Sequence, residues 1–279
     1  MSTAARLADE AATMRGDDAL IAATAEAVKL TGSAMLRHFD TQARSPTNLS
    51  DLVGAIHAND RRSLETLRSL LEHARPQAGW VEDELEGGSL STGEWWIVDP
   101  MEGNINHVQG LAQWGVSATL VRDNIPVMTA VYEPVAGRLY TAVRGQGAAY
   151  ANGVPMRVSA KTSLDAAIVS TGQAKPGESA ETYRRIGESI TAMLQVALVV
   201  RMTVPATFEL AQVAAGNIDG FWQFSNVRSG QAAGALLVSE AGGVVSDISG
   251  RPWTLASNDF LVSAPGTHSE FVAALQHVA

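Results

Sequence analysis

The chain reads as an α/β protein, a layered sandwich built from an antiparallel sheet followed by a mixed sheet. Two patterns carry this. Between Trp95 and Arg144, runs rich in β-branched residues follow one another across short, turn-rich links, as in an antiparallel meander. After about Ser159, strand-like and helix-like runs alternate, as in an α/β half. The chain therefore divides into an N-terminal α+β half, residues 1–158, and a C-terminal α/β half, residues 159–279.

Taken in order, Ile21, Ala25, Val28 and Met35 recur at helical spacing and predict a helix from Asp17 to about Phe39. Leu64, Leu67, Leu70 and Leu71 predict a second helix after Asn59. Strands are expected at Trp95–Val98, Val116–Arg122, Ile125–Tyr132 and Leu139–Arg144. Asn152-Gly153 is a hairpin signal, because a type I′ turn needs positive φ at both central residues. Beyond it, strands are expected at Ala166–Ser170, Val199–Met202, Phe221–Phe224 and Phe260–Ala264. Helices are expected at Glu181–Leu194, Thr207–Ala215 and Gln231–Glu240. Thr267 and Glu270 stand at capping-box spacing ahead of a last helix.

Composition narrows the function classes. A chain of 279 residues, 46% apolar, buries a sizeable core in one large domain or two packed halves. The absence of cysteine removes disulfides, thiolate nucleophiles and thiolate metal sites. The net charge is −9, and Lys and Arg are scattered rather than clustered, so neither nucleic acid nor a membrane is an expected partner. No run reads as the roughly 20 uncharged apolar residues of a bilayer span, and the first twenty residues lack the apolar core of a secretion signal. The expected location is cytoplasmic. An acidic protein that handles an anionic substrate needs local cations, and metal ions are the evident source.

The segment Trp95–Asn106, WWIVDPMEGNIN, is the most informative. A buried strand ends in Asp99, and a Pro-constrained turn brings Glu102 back beside it. Gly103 then lets backbone N–H groups approach an anion. Upstream lies the acidic cluster Glu82, Asp83, Glu84, Glu86. Hard oxygen ligands of this kind suit magnesium, which takes a few carboxylates plus phosphate and water. The same residues also read as an Asp-Pro turn and a solvated acidic loop.

The string DPMEGN resembles the inositol monophosphatase signature, an Asp-Pro-x-Asp-Gly-Thr turn after a hydrophobic strand. Trp80–Leu85 resembles that family's Gly-Glu-Glu segment. The run Ala232–Gly250, AAGALLVSEAGGVVSDISG, resembles its second signature. VAAGNIDGFWQ, from Val213 to Gln223, and ANGVPMRVS, from Ala151, fit in order and spacing, so the resemblance spans about residues 17 to 265. It implies the α-β-α-β-α sandwich of that family, magnesium-dependent hydrolysis of a small phosphorylated substrate, and a homodimer. Residue by residue, it implies metal ligands at Asp83, Glu84, Asp99, Glu102 and the Met101 carbonyl. It also implies catalytic roles for Asp99, Glu102, Asn104 and Asp60, and substrate contacts from Gly103, Asn104 and Gln223.

The departures are equally specific. Glu102 stands at the second signature Asp, Asp83 at the first Glu of the Gly-Glu-Glu segment, and Asn104 at the Thr that helps activate water. The Trp-Asp ahead of the second signature is Ser229-Gly230, and Val204-Pro205 stands where the family often has Gly-Ser. Gln223 occupies a position where inositol-specific members carry Glu. Asp-to-Glu exchange moves a carboxylate by roughly 1.5 Å, whereas catalytic placement tolerates about 0.5 Å. Gly230 has no side chain at all, so fewer than three magnesium ions are expected, and Gly230→Asp is expected to restore a ligand at a helix start without loss of stability. Arg228, two residues before Gly230, reads either as a cation facing an anionic ligand or as an exposed loop residue. His107 is the one histidine near the signature. Two functions follow: a divergent phosphomonoesterase acting on a small phosphorylated polyol, sugar or nucleotide, or a re-purposed, catalytically weak member that binds a partner or does other chemistry in the same cleft.

Overall fold

The computed structural model describes residues 3–42, 46–82, 87–175 and 177–278, with side chains from Gly16 onward. Asp83 and Glu84 lie outside the described residues. Two sheets are flanked and separated by helices, giving the five layers α-β-α-β-α. The outer layer holds α1 (Thr3–Leu36) and α2 (Leu49–Ala74). The first sheet has seven strands in sequence order: β1 (Gly79–Trp80), β2 (Glu94–Glu102), β3 (Gly115–Arg122), β4 (Ile125–Glu133), β5 (Arg138–Val143), β6 (Ala149–Ala151) and β7 (Val154–Met156). β1 runs parallel to β2, and every other neighbouring pair is antiparallel.

The turns follow from their residues. Asp123 and Asn124 (φ 50° and 67°) join β3 to β4, and Asn152 and Gly153 (φ 48° and 78°) join β6 to β7. Both are the positive-φ pairs that a two-residue hairpin requires.

The second sheet is mixed and is built from β8 (Ile168–Thr171), β9 (Val199–Met202), β10 (Gly220–Gln223), β11 (Val244–Ser246) and β12 (Phe260–Ser263), in the order β11-β12-β10-β8-β9. Between the sheets lie α5 (Ala206–Ala214) and α6 (Arg228–Glu240); α6 touches strands of both. Their small residues let the pair approach closely. A Cβ on Gly234 would stand 2.2 Å from Leu210 Cδ1, so only glycine fits that crossing. One apolar cluster accordingly runs from Val131 and Tyr140 of the first sheet through Phe208 and Leu236 to Phe260 of the second. The outer layer beyond the second sheet is α4 (Ala180–Leu194) with α7 (His268–Leu275).

Three elements differ from the sequence reading. Residues Gly16–Leu36 are long and apolar enough to cross a membrane. In the fold they lay Leu20, Ala27 and Val28 on the first sheet beside Leu67 and Leu71 of α2, as a core helix does. α2 begins at Leu49, ten residues before the expected start, because Asn48 accepts a hydrogen bond from the Asp51 N–H and caps it there. The capping box ahead of α7 does not form. Glu270 Oε2 accepts instead from the Leu164 N–H at 2.8 Å, and the Thr267 hydroxyl donates to the Ala264 carbonyl. Spacing allowed the box, and a partner about a hundred residues away took the carboxylate.

Candidate active site

β2 carries the signature carboxylates. In a regular strand, residues three apart face opposite sides of the sheet. Here Asp99 lies opposite Ser117 and Glu102 opposite Gly115, so β2 holds one extra residue between them. That bulge returns Glu102 to the face of Asp99, and the two side chains are hydrogen-bonded to one another. Gly103 closes the turn at φ 67°, where a Cβ would stand 2.8 Å from the Gln113 carbonyl oxygen. The position requires glycine on both counts.

Glu102 is 2% exposed. Its Oε1 accepts from the hydroxyls of Ser117 at 2.8 Å and Thr207 at 2.7 Å. Burial pushes its carboxyl above the usual carboxylate value, while those hydroxyls and Asp99 pull it back. Proton retention in the fold means that stability from this group is present below the unfolded value of 4.5 and is lost as pH rises through the raised one. Glu102→Gln keeps the acceptor oxygen and removes the charge. In the presence of a chelator its melting temperature should exceed that of the wild type at pH 8, by about 2–4 °C per kcal/mol recovered. The gap should close toward pH 4; a gap that is constant with pH would contradict the assignment.

A second polar group sits on the α2 side of the turn. Asn104 opens α3 (Asn104–Val108) and uses its whole amide. Its Nδ2 donates to the Ile56 carbonyl at 2.9 Å and to Asp60 Oδ1 at 2.5 Å, and its Oδ1 accepts from Asn59 Nδ2 at 3.0 Å. Burial raises the Asp60 carboxyl, which the Asn104 bond partly offsets. An amide is not a base, so Asn104 orients Asp60 and leaves any proton acceptance to that carboxylate. Ser63 donates to the Pro100 carbonyl and ties α2 to the same turn.

His107 belongs to the scaffold. Its Nδ1 accepts from Asn59 at 3.1 Å, its ring meets Trp114 edge-on at 4.7 Å, and burial lowers its pKa, all of which favour a neutral imidazole. Met101 packs its side chain with Met35 and Trp114.

Asp99, Glu102, Gly103 and Gln223 line one cavity of about 560 Å³ between α2, the signature turn and the start of α5. Gln223 is 2% exposed, and its Oε1 has no hydrogen-bond partner among the described residues. Arg228 points elsewhere: its guanidinium donates to the Gly87 carbonyl at 2.6 Å, joining the first turn of α6 to the loop that follows the acidic segment. Gly230 is buried as the third residue of α6, and a Cβ there would meet Thr207 Oγ1 at 2.7 Å. The site's altered positions are thus in contact through Thr207. Ser117, Thr207 and Lys175, which also lines the cavity, carry no motif of their own. Only the register of β3 and the crossing of α5 bring the two hydroxyls to Glu102.

Among the described residues, no three His, Asp or Glu side chains converge as a metal cage. With one Glu102 oxygen taken by two hydroxyls, the donor set fits a magnesium ion held by Asp99 and otherwise by water and substrate phosphate.

The comparisons agree with this architecture. The family model described as the inositol monophosphatase family matches residues 17–279. An inositol-1-monophosphatase from Rhizobium meliloti is 34% identical over 233 residues, covering 83% of this chain and 86% of that one. The Nus factor SuhB of Pseudomonas aeruginosa is 30% identical over 227 residues, covering 80% and 83%. Among solved structures, an extragenic suppressor protein suhB from Bartonella henselae superposes with a TM-score of 0.76 at 26% identity, over 92% of this chain and 99% of that one.

Proposed function

Because the chain belongs to the inositol monophosphatase family, we propose that it is a magnesium-dependent phosphomonoesterase acting on a small phosphorylated molecule. The observation that carries this reading is the bulge in β2, which sets Asp99 and Glu102 on one face at the wall of a ligand-sized cavity. When bound, a magnesium ion supplies positive charge against the phosphoryl oxygens. Asp99 would hold it, with the Met101 carbonyl, Asp83 and Glu84 as further ligands. Asp60, oriented by Asn104, accepts the proton of the attacking water. Glu102, gripped by two hydroxyls, keeps the turn in register and shares a proton with Asp99.

The test is phosphate release with magnesium across polyol, sugar and nucleotide monophosphates. Turnover is expected for at least one phosphomonoester, with loss on chelation. Hydrolysis of inositol 1-phosphate should be slow, because Gln223 offers no charge to a sugar hydroxyl and the metal site has fewer carboxylates. A second reading, a catalytically weak member that serves as a binding partner, draws on the sealed Glu102 carboxyl and on the relative named as a Nus factor. Intact ligand binding with no phosphate release from any monoester would favour it.

We propose a homodimer as well. β9 is one of the two outer strands of the second sheet among the described residues, and Leu194, Leu198, Val199 and Met202 are exposed on or beside it, the kind of patch a second copy covers. Sedimentation should give twice 29.4 kDa, and Leu198→Glu should shift the protein toward monomer.

A further inference from the structure

The α2 face that packs on the first sheet through Leu67 and Leu71 continues toward the cavity through Ser63 and Asn59, which serve the signature turn. One turn further the stripe becomes apolar again: Leu49, Leu52, Val53 and Ile56 stand at helical spacing and line the cavity. Leu49 is 74% and Val53 38% exposed. Val204 and Leu111, the latter 56% exposed, line the same cavity. Asp99 and Lys175 belong to the same lining.

Two of the polar side chains in the lining, Asn106 and Thr207, are committed to the protein, while Gln223 keeps an acceptor for one ligand donor. Asn106 Nδ2 donates to the carbonyls of Gln113 and Val204, at 2.7 and 2.9 Å, and the Thr207 hydroxyl is on Glu102. Hydroxyls placed against Leu49, Leu52, Val53 and Ile56 would find no partner there, which costs binding. An apolar group would instead remove the exposed faces of Leu49, Val53 and Leu111 from water.

We propose that the cavity takes a phosphate monoester whose esterified group is apolar, an aryl or alkyl group, with the phosphate at Asp99 and the hydrocarbon against the α2 stripe. This rests on the phosphomonoesterase reading for its chemistry. It concerns binding, however, and can be read without turnover. Hydrolysis of such an ester adds water across the P–O bond and yields inorganic phosphate and the free phenol or alcohol, with no other reactant.

The experiment compares 1-naphthyl phosphate with glycerol 1-phosphate, in phosphate release with magnesium and in calorimetric binding. The expected result is a preference for the naphthyl ester of about tenfold or more in kcat/KM or in affinity. Leu49→Asn and Val53→Asn, both at exposed positions, should cut that preference by about tenfold. Val154→Asn, at an exposed residue of β7 outside the cavity lining, should leave it unchanged. Should neither ester be hydrolysed, the phosphomonoesterase reading fails for these substrates, and the affinity ratio alone decides the inference. Equal affinity, preference for glycerol 1-phosphate, or no binding of 1-naphthyl phosphate overturns it. So does dissociation of a dimer by Leu49→Asn or Val53→Asn, since the stripe would then be covered by a second copy.

Discussion

Asp99→Asn is expected to lower phosphate release by about 10²–10³-fold, the loss typical of one electrostatic group at a reacting centre. The substitution is close to a pure change of charge. Asp99 Oδ1 accepts from the Met101 N–H at 2.8 Å, and an amide oxygen keeps that bond. The amide N–H₂ can donate to Glu102, replacing the bond between the two carboxyls. Stability should therefore change by no more than about 1 kcal/mol, within the range of mild substitutions. What disappears is the carboxylate that faces the cavity from the end of the straight part of β2. A chelator-treated variant should show the same melting curve as the chelator-treated wild type, while magnesium binding by calorimetry weakens. Full turnover by the folded variant would show that Asp99 is not the metal-holding residue.

Gly230→Asp is expected to destabilise the protein by on the order of 2–4 kcal/mol with Glu102 in place, which reverses the expectation drawn from the sequence. As an open helix start, the position would welcome Asp as a cap. In the fold it is the third residue of α6, buried, with Thr207 Oγ1 2.7 Å from any added Cβ. The Thr207 hydroxyl would have to turn away and leave Glu102 Oε1, and a new carboxylate would be buried beside a carboxyl already held against ionisation. Gly230→Ala isolates the steric part and should cost less than Gly230→Asp. Glu102→Asp withdraws the carboxylate by roughly 1.5 Å and frees the Thr207 hydroxyl to move. The double variant Gly230→Asp with Glu102→Asp should then be more stable than the sum of the single losses, with a coupling of about 0.5–3 kcal/mol by urea denaturation. Additive losses would mean that the two positions are independent. The long side chain at 102 and the missing one at 230 are, on this reading, two halves of one packing solution.

The candidate site divides along the same line. Asp99, Glu102 and Gly103 were legible because strand, proline turn and glycine lie within a few residues. The neighbours that set their state were not. Ser117 reaches Glu102 from the adjacent strand and Thr207 from 105 residues away. Arg228 read as either a ligand-facing cation or an exposed loop residue, yet it is buried and its guanidinium reaches the Gly87 carbonyl, 141 residues distant.

The amino-acid sequence by itself determined the meander, the alternating second half, the Asn152-Gly153 hairpin and the position of the signature turn. Each is written in periodicity or in turn residues whose backbone preferences act over a few residues. The tertiary structure alone decided that Glu270 bonds Leu164 rather than its own helix, and that Glu102 is buried under the hydroxyls of Ser117 and Thr207. It also decided that the first turn of α2 turns an apolar stripe toward the carboxylates. These outcomes depend on which groups meet after the sheets and helices pack. Burial and hydrogen-bond competition are set by neighbours distant in the chain, so no local pattern encodes them.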